Sequence, residues 1–502
     1  MAIEPHINGW GINDKNHRFI ASAAAGINRS NVDQLQVKWV FALPDTKTPH
    51  FQPLITANTV VIADEPGVVY ALDRETGCQR WQFDAGSTVR TALRQVDTDT
   101  GPLLSFGTAD AEVFGLELAT GKLRWRLQAD THRFAMVSGS AIDSDGVIYQ
   151  PVSSWEAAYA VNPFYACCTF RSSLLAIDAQ SGVEQWRSYT IVEAPAVIEK
   201  RGLLPDRLGP SGAPVWSQPT LDSQRGRIYV GTGENYSSPA TETSDAIIAF
   251  DAASGEMLWH QQFLAGDAWN VSCESPITTN CPEERGVDLD FGAPPVLVTV
   301  DGRDYILAGQ RSGAVYALDP DQGGALLWSQ KPGTGGKLGG VHFALAVDPS
   351  RGVLYVPISD RPIKILGDNP VGEPNPSLHA YDIASGELLW SVAAPDSCGE
   401  RGKPNKGCHP GLSAAPTATE ELVFAPALDG AIHAFDAADG ELLWSFETAA
   451  KWPAVNGGEA RGGAIDLGGV YLDRGQLFVS SGYGTFDQWP GNAFIVMEVA
   501  DE

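Results

Sequence analysis

One phrase recurs along this chain and fixes how it can fold. An apolar strand runs into an acidic residue, Gly follows four residues later, and Trp four residues after that. It reads VVYALDRETGCQRW to Trp81, LLAIDAQSGVEQW to Trp186, IIAFDAASGEMLW to Trp259, LHAYDIASGELLW to Trp390 and IHAFDAADGELLW to Trp444. The copy ending at Trp125 carries Glu117 for the Asp, and the copy ending at Trp328 has one extra residue between Asp319 and Gly324. Asp bonds nearby backbone groups and Gly supplies positive φ, so Asp-x-x-x-Gly is a tight turn. The Val, Ile, Leu, Phe and Tyr around it suit buried strands. Each phrase is therefore a hairpin, and repetition of hairpins decides the architecture before any single residue suggests a function.

A further strand pair precedes most phrases, as in GRIYVGTGE before IIAFD and ELVFAPALDG before IHAFD. Four strands per repeat, arranged radially, make a β-propeller. Each Trp is expected to wedge between blades, where its burial contributes at most about 4–6 kcal/mol gross. The ends complete the count. Trp39 lies in LQVKWVF with no phrase before it, and the C-terminal GQLFVSSGYG and NAFIVMEV strands have no Trp-bearing strand after them. The expectation is an all-β, eight-bladed propeller over residues 1–502 as one domain, its last blade completed by the N-terminal strand. An open array would leave two half-blades with bare edges.

The 34 basic and 61 acidic residues leave a formal charge of −27, which argues against nucleic acid and anionic membranes as partners. No run of 18 apolar residues offers a membrane span, and MAIEPHINGW lacks signal-peptide character. Cys273 and Cys281 bracket one loop, Cys398 and Cys408 another, Cys167 and Cys168 are adjacent, and Cys78 is left over. Two short Cys-bracketed loops favour disulfides and an oxidising compartment, periplasmic or secreted, over a zinc site using His409. No Cys-x-x-Cys-His binds a haem covalently.

Trp-to-Trp spacing grows from 42 and 44 residues to 61, 73, 69 and 62 in the middle repeats, so long loops there are expected to build a site over one end of the ring. The loop PVSSWEAAYAVNPFYACCTFRSS holds Ser153, Ser154, Glu156, Cys167, Cys168 and Arg171. Trp216, in SGAPVWSQPTLD, breaks the docking repeat and falls near the axis, where it could floor a planar cofactor. Glu156, Glu234, Asn235, Asp267 and Asn270 are oxygen-bearing side chains on the long-loop side, suited to a hard cation such as Ca²⁺. Arg90 and Arg311 could hold carboxylates bidentately.

With these residues the chain resembles the quinoprotein alcohol dehydrogenases, through VSSWEAA, FYACCTFRSS, SGAPVWSQPTLD, TGENYSSPAT, GDAWNVSC and LGGVHFALAVD, most like their polyvinyl-alcohol-dehydrogenase-like branch. The resemblance covers almost the whole chain and implies pyrroloquinoline quinone (PQQ) on the axis with Ca²⁺. It implies that Trp216 stacks on the quinone and that Glu156 binds the cation. Ser138, Ser153, Ser154, Arg90, Cys167, Cys168, Arg171 and Asn270 would lie against the cofactor. Glu234 falls where the family has a cation-binding Asn, with Asn235 beside it. Arg311 would sit by the reactive oxygens, and His50 replaces a cofactor-contacting Glu. The family's catalytic Asp ends an Asp-x-Trp-Asp stretch, which here reads Asp267-Ala268-Trp269-Asn270. Asn270 cannot be a base, so Asp267 becomes the expected base and a cation ligand.

The implied reaction is oxidation of an alcohol, with secondary, bulky or polymeric substrates favoured. Electrons would leave to a separate acceptor such as a cytochrome c. The rival expectation is a non-catalytic binding or scaffold propeller, which needs neither an axial Trp nor clustered carboxylates.

Overall fold

The structure, a computed structural model, describes residues 5–363, 367, 372–399 and 408–500. Eight antiparallel sheets follow one another around a ring, each with an inner, two middle and an outer strand. In blade 4 these are Thr220–Asp222, Arg227–Gly231, Ala246–Asp251 and Met257–Gln262. The middle strands are buried on both faces, which is why they read as continuous apolar runs. The outer strands alternate, as in Leu388–Ala393, and each carries a bulge next to its Trp, as between Gln79 and Trp81. A bulged, twisted outer edge is a poor template for pairing with another chain.

The last blade is split as the sequence predicts. Val470–Asp473, Gln476–Ser481 and Ala493–Val499 come from the C-terminal end, and Leu35–Ala42 supplies the outer strand. The register runs from Leu35 opposite Val499 to Ala42 opposite Ala493.

The repeated Gly does more than turn the hairpin. Gly77, Gly121, Gly182, Gly255, Gly324, Gly386 and Gly440 lie beneath Trp39, Trp81, Trp125, Trp186, Trp259, Trp328 and Trp390 of the preceding blade. A Cβ on any of them would come within 3 Å of the indole or of a side chain beside it. The indole N–H then donates to a carbonyl of the next blade: Trp39 to Arg74 at 2.9 Å, Trp125 to Ala179 at 2.9 Å and Trp328 to Ile383 at 2.9 Å. Trp444 has no such glycine among the described residues, because the split blade lacks the hairpin. At that seam the segment before Leu35 takes over, with Arg29 paired to Asp436 and Glu441 and Ser22 to Glu420.

The N-terminal segment also closes the axis, which the sequence did not announce. Backbone carbonyls of Asp14, Lys15, His17 and Arg18 accept from Leu221, Leu297, Val347 and Ala418, one residue from each of blades 4 to 7. Arg18 is fully buried, and its guanidinium donates to Trp10, Pro416, Thr417, Gly468 and Val470 at 2.7–2.9 Å. A buried guanidinium is tolerated because every face of its planar fork meets an acceptor.

Gly255 and Gly302 both have positive φ, +76° and +78°, but a methyl added at Gly302 would meet open space, whereas one added at Gly255 would come within 2.5 Å of its nearest neighbour. Gly255→Ala is expected to lose about 1–3 kcal/mol more stability than Gly302→Ala in urea unfolding; equal losses would show that Gly255 serves only the turn.

Candidate active site

The connections between second and third strands, and those between one blade and the next, emerge on one face of the ring and wall a cavity of about 460 Å³ on its axis. Trp10 closes it from the plug, within a cluster that includes Phe343, Ala415 and Trp216. Trp216 stands four residues ahead of the blade 4 inner strand, outside the strand itself. Phe343 and His342 meet it edge-on with centroids at 5.9 and 6.1 Å, and Gly292 allows its close approach, since a Cβ there would lie 2.1 Å from the indole. Its indole N–H donates to Asp290 at 2.7 Å.

Asp290 belongs to the most charged part of the wall. Glu234, Asp288 and Asp290 are buried, and each presents a carboxylate oxygen within 4.8 Å of the others. Arg311, in the hairpin between Arg303–Gly309 and Val315–Asp319 of blade 5, pairs with Asp288 at 2.7 Å and Asp290 at 2.6 Å and donates to the Lys337 carbonyl at 2.6 Å. Three acids against Arg311, with Lys337 on the same wall, leave an excess of negative charge at a buried site. Burial, then Asp290 and Asp288, push the Glu234 carboxyl well above its usual range. Burial likewise raises Asp288 against the pull of Arg311. Burial acts on Asp290 too, but Arg311 and hydrogen bonds from Glu234, Arg311 and Trp216 outweigh it and hold Asp290 below the usual range. A proton on Glu234 thus balances charge that a cation could balance instead.

Other expected residues also reach the cavity. Arg90, Ser138, Ser153 and Ser154 line it, and the Ser138 and Ser153 hydroxyls lie 2.5 Å apart. Arg90 lies over the Trp155 ring at 5.3 Å, makes no ion pair among the described residues and has a buried Nε without a partner. His50 stands beside it, edge-on to Tyr483 at 5.5 Å.

The remaining expected residues point elsewhere, each for a visible reason. Glu156 is not a cavity residue: it is fully buried and accepts from the Tyr165 hydroxyl at 2.5 Å and the Thr169 and Phe170 amides at 2.9 and 2.8 Å. Burial opposes its charge, but His132, Tyr165 and these amides outweigh it and hold Glu156 ionised below the usual range. Asn235 accepts from the Thr241 amide at 2.7 Å and donates to Ser211 at 3.0 Å. Asn270 caps the short turn Val271–Glu274 and donates to Tyr236 and Asn280, both at 2.8 Å. Arg171 lies over Tyr189 at 3.9 Å and donates to Ile191 and Val192. Cys167 and Cys168 form a disulfide, pinned by backbone bonds to Leu208 rather than facing the cavity. Cys273–Cys281 and Cys398–Cys408 are also disulfides, and Cys78 is free and exposed.

The expected base, Asp267, is also off the cavity. Its carboxylate accepts from the amides of Val287 at 2.9 Å and Asp288 at 3.1 Å. Gly286 admits it, since a Cβ there would lie 1.7 Å from Asp267 Oδ1. Asp267 therefore shapes the backbone that presents Asp288. The carboxylates at the cavity, Asp288 and Asp290, were not singled out in the sequence. Their signal was two acids two residues apart in an otherwise apolar stretch, VDLDFGAPPVLV.

The comparisons with known proteins decide the family. The chain is 36% identical to the polyvinylalcohol dehydrogenase of a Pseudomonas species over 483 residues, 95% of this chain and 73% of that protein. It belongs to the PQQ-dependent alcohol dehydrogenase family. A Sphingopyxis polyvinylalcohol dehydrogenase is 33% identical over 95% of this chain and 72% of its own length. The family model of the glucose/ethanol/alcohol dehydrogenase β-propeller domain matches residues 178–286 of this PQQ-dependent family member. A family model described as outer membrane protein assembly factor BamB matches residues 14–188, 244–367 and 311–481, the docking repeats shared by both kinds of propeller. Among solved structures, quinohemoprotein alcohol dehydrogenase from Comamonas testosteroni superposes with a TM-score of 0.69 at 19% identity, covering 99% of this chain and 81% of that one.

The cavity fits the family's cofactor on its own chemistry. A flat indole floor, the orphaned buried Arg90 Nε and the serine hydroxyls suit a planar polyacid. Asp267→Ala is expected to leave the Val287 and Asp288 amides without acceptors, at roughly 1–3 kcal/mol each. Hydrogen exchange should then rise across 286–290 and stay unchanged in blades 1 and 8; protection that persists at 286–290 would remove Asp267 from this role.

Proposed function

We propose that this protein oxidises an alcohol to the carbonyl with PQQ and Ca²⁺ on the propeller axis. The observation that carries the reading is the connected set Trp216, Asp290, Arg311 and Asp288 on one wall of the axial cavity, together with Arg90, which makes no ion pair among the described residues. When bound, PQQ would supply a two-electron acceptor for the carbinol hydride, and the cation would supply a Lewis acid. Trp216 supplies the stacking surface, and Arg90 with Ser138, Ser153 and Ser154 fixes the cofactor's acidic and polar edge. Glu234 and Asp290 would hold the cation, with Asp288 beside them. Asp288 accepts the hydroxyl proton, since Arg311 holds its Oδ1 at 2.7 Å and orients it. Arg311 also offsets negative charge that develops beside it.

Substrates are secondary or polymeric alcohols, as the names of the 36% and 33% identical relatives suggest. The electrons released by the alcohol pass on to an acceptor such as a cytochrome c. The disulfides favour a periplasmic or secreted location, and no described helix is long and apolar enough to cross a membrane.

PQQ titration of the purified protein in Ca²⁺, followed by absorbance and by reduction of an artificial acceptor, tests this. Wild type is expected to bind PQQ and oxidise secondary alcohols, and Trp216→Ala to lose PQQ binding. Silence across primary, secondary and polymeric alcohols would favour the scaffold instead. The cation assignment has its own test in calorimetric Ca²⁺ titration with PQQ present. Glu234→Gln is expected to weaken Ca²⁺ at least ten-fold, whereas Glu156→Gln leaves the affinity unchanged and lowers the melting temperature. The reverse pattern would return the cation to Glu156.

A further inference from the structure

A second hollow of about 470 Å³ opens beside the axial cavity, and Trp155 lines both. The ridge between them is the four-residue helix Glu156–Tyr159 with the Trp155 before it. Ala157 and Ala158 line the axial side, and Tyr159 lines the outer side. Glu156 anchors this ridge from beneath through Tyr165, Thr169 and Phe170, so the partition is rigid. The outer hollow has walls of two kinds. Phe134 and Tyr159 stack with centroids 3.8 Å apart, next to Trp155, while Asp110, Gln128 and Asp130 supply polar groups. Tyr159 is 49% exposed and Trp155 43%, a large aromatic surface for a protein to leave in water.

We propose that this groove is the subsite for the distal part of a chain-like alcohol, an apolar backbone with repeated hydroxyls, whose reacting carbinol enters the axial cavity past Trp155. The inference rests on the alcohol-oxidation reading above. An axial cavity of about 460 Å³ that holds a cofactor has room only for the reacting end of a long substrate. The rest of such a chain must leave by a neighbouring surface, and the groove lies just across Trp155, which lines both hollows. Methylenes would pack on the exposed Trp155 and Tyr159 rings, the latter backed by Phe134, and hydroxyls would bond to the Asp110, Gln128 and Asp130 side. Tyr159 is then a specificity-determining residue that touches long substrates alone.

The test compares wild type, Tyr159→Ala and Tyr159→Trp, charged with PQQ and Ca²⁺, on vinyl alcohol oligomers and on 2-butanol. Binding of the oligomers, and of cello-oligosaccharides as a second class of hydroxylated chain, is measured by calorimetry on the protein without PQQ. Tyr159→Ala is expected to raise KM and Kd for the oligomer about three- to ten-fold. Both kcat values and the KM for 2-butanol should stay unchanged, and Tyr159→Trp should restore oligomer affinity. The proposal is overturned if 2-butanol shifts in parallel, if neither substrate shifts, or if the groove binds cello-oligosaccharides and not the vinyl alcohol oligomers. If wild type oxidises no alcohol yet binds the oligomer through Tyr159, the oxidation reading fails and the groove stands. If 2-butanol is oxidised and Tyr159 is silent toward the oligomer, the groove alone fails.

Discussion

Everything on the axis depends on one strand pairing, Leu35–Ala42 against Ala493–Val499. The cavity wall draws Arg90 from the approach to blade 2, Ser153 from blade 3, Asp288 from the connection into blade 5 and Asp466 from the approach to blade 8. These residues meet only when the ring is closed. An open array of the same repeats would bury the same apolar strands within each blade, but it would have no axis. The pairing also leaves a weak point at its own seam. The split blade has no hairpin to offer Trp444, and charged contacts from Arg29 to Asp436 and Glu441 take the place of the tryptophan-on-glycine contact.

Closing the ring leaves a hole, and the residues before Leu35 fill it. Inner strands of a propeller have unpaired backbone groups toward the axis, and burying them without partners is costly. The plug satisfies several at once, with Arg18 bonding to carbonyls near blades 7 and 8. Trp10 then turns the upper surface of the plug into the base of the cavity beside Trp216. A structural requirement of the ring thus sets the depth of the site.

The electrostatics of the site follow from a division of labour between acids. Glu234, Asp288 and Asp290 crowd one guanidinium at a buried site on the cavity wall. Glu156 and Asp267 are equally buried but accept hydrogen bonds from amides of the loops they hold. The first group is available for ligand chemistry, and the second keeps the loops in position. Glu156 braces the ridge between the axial cavity and the outer groove, and Asp267 braces the turn that carries Asp288.

The sequence by itself determined the ring. Its repeat of Asp, Gly and Trp is local chemistry: the turn, the strands and the landing surface for each indole are all written within a few residues, so the blade count and the split last blade follow from reading along the chain. Trp216 was legible as well, because it falls outside that repeat, and Arg90 and Arg311 because lone cations stand out near apolar strands. Only the tertiary structure decided which carboxylates face the axis. Glu156 and Asp267 have the same chemistry as Glu234 and Asp288, and no local pattern states which way a long loop turns its side chains. That direction is set by the amides each loop brings within reach of a carboxylate, and those amides lie 13 to 21 residues further along the chain.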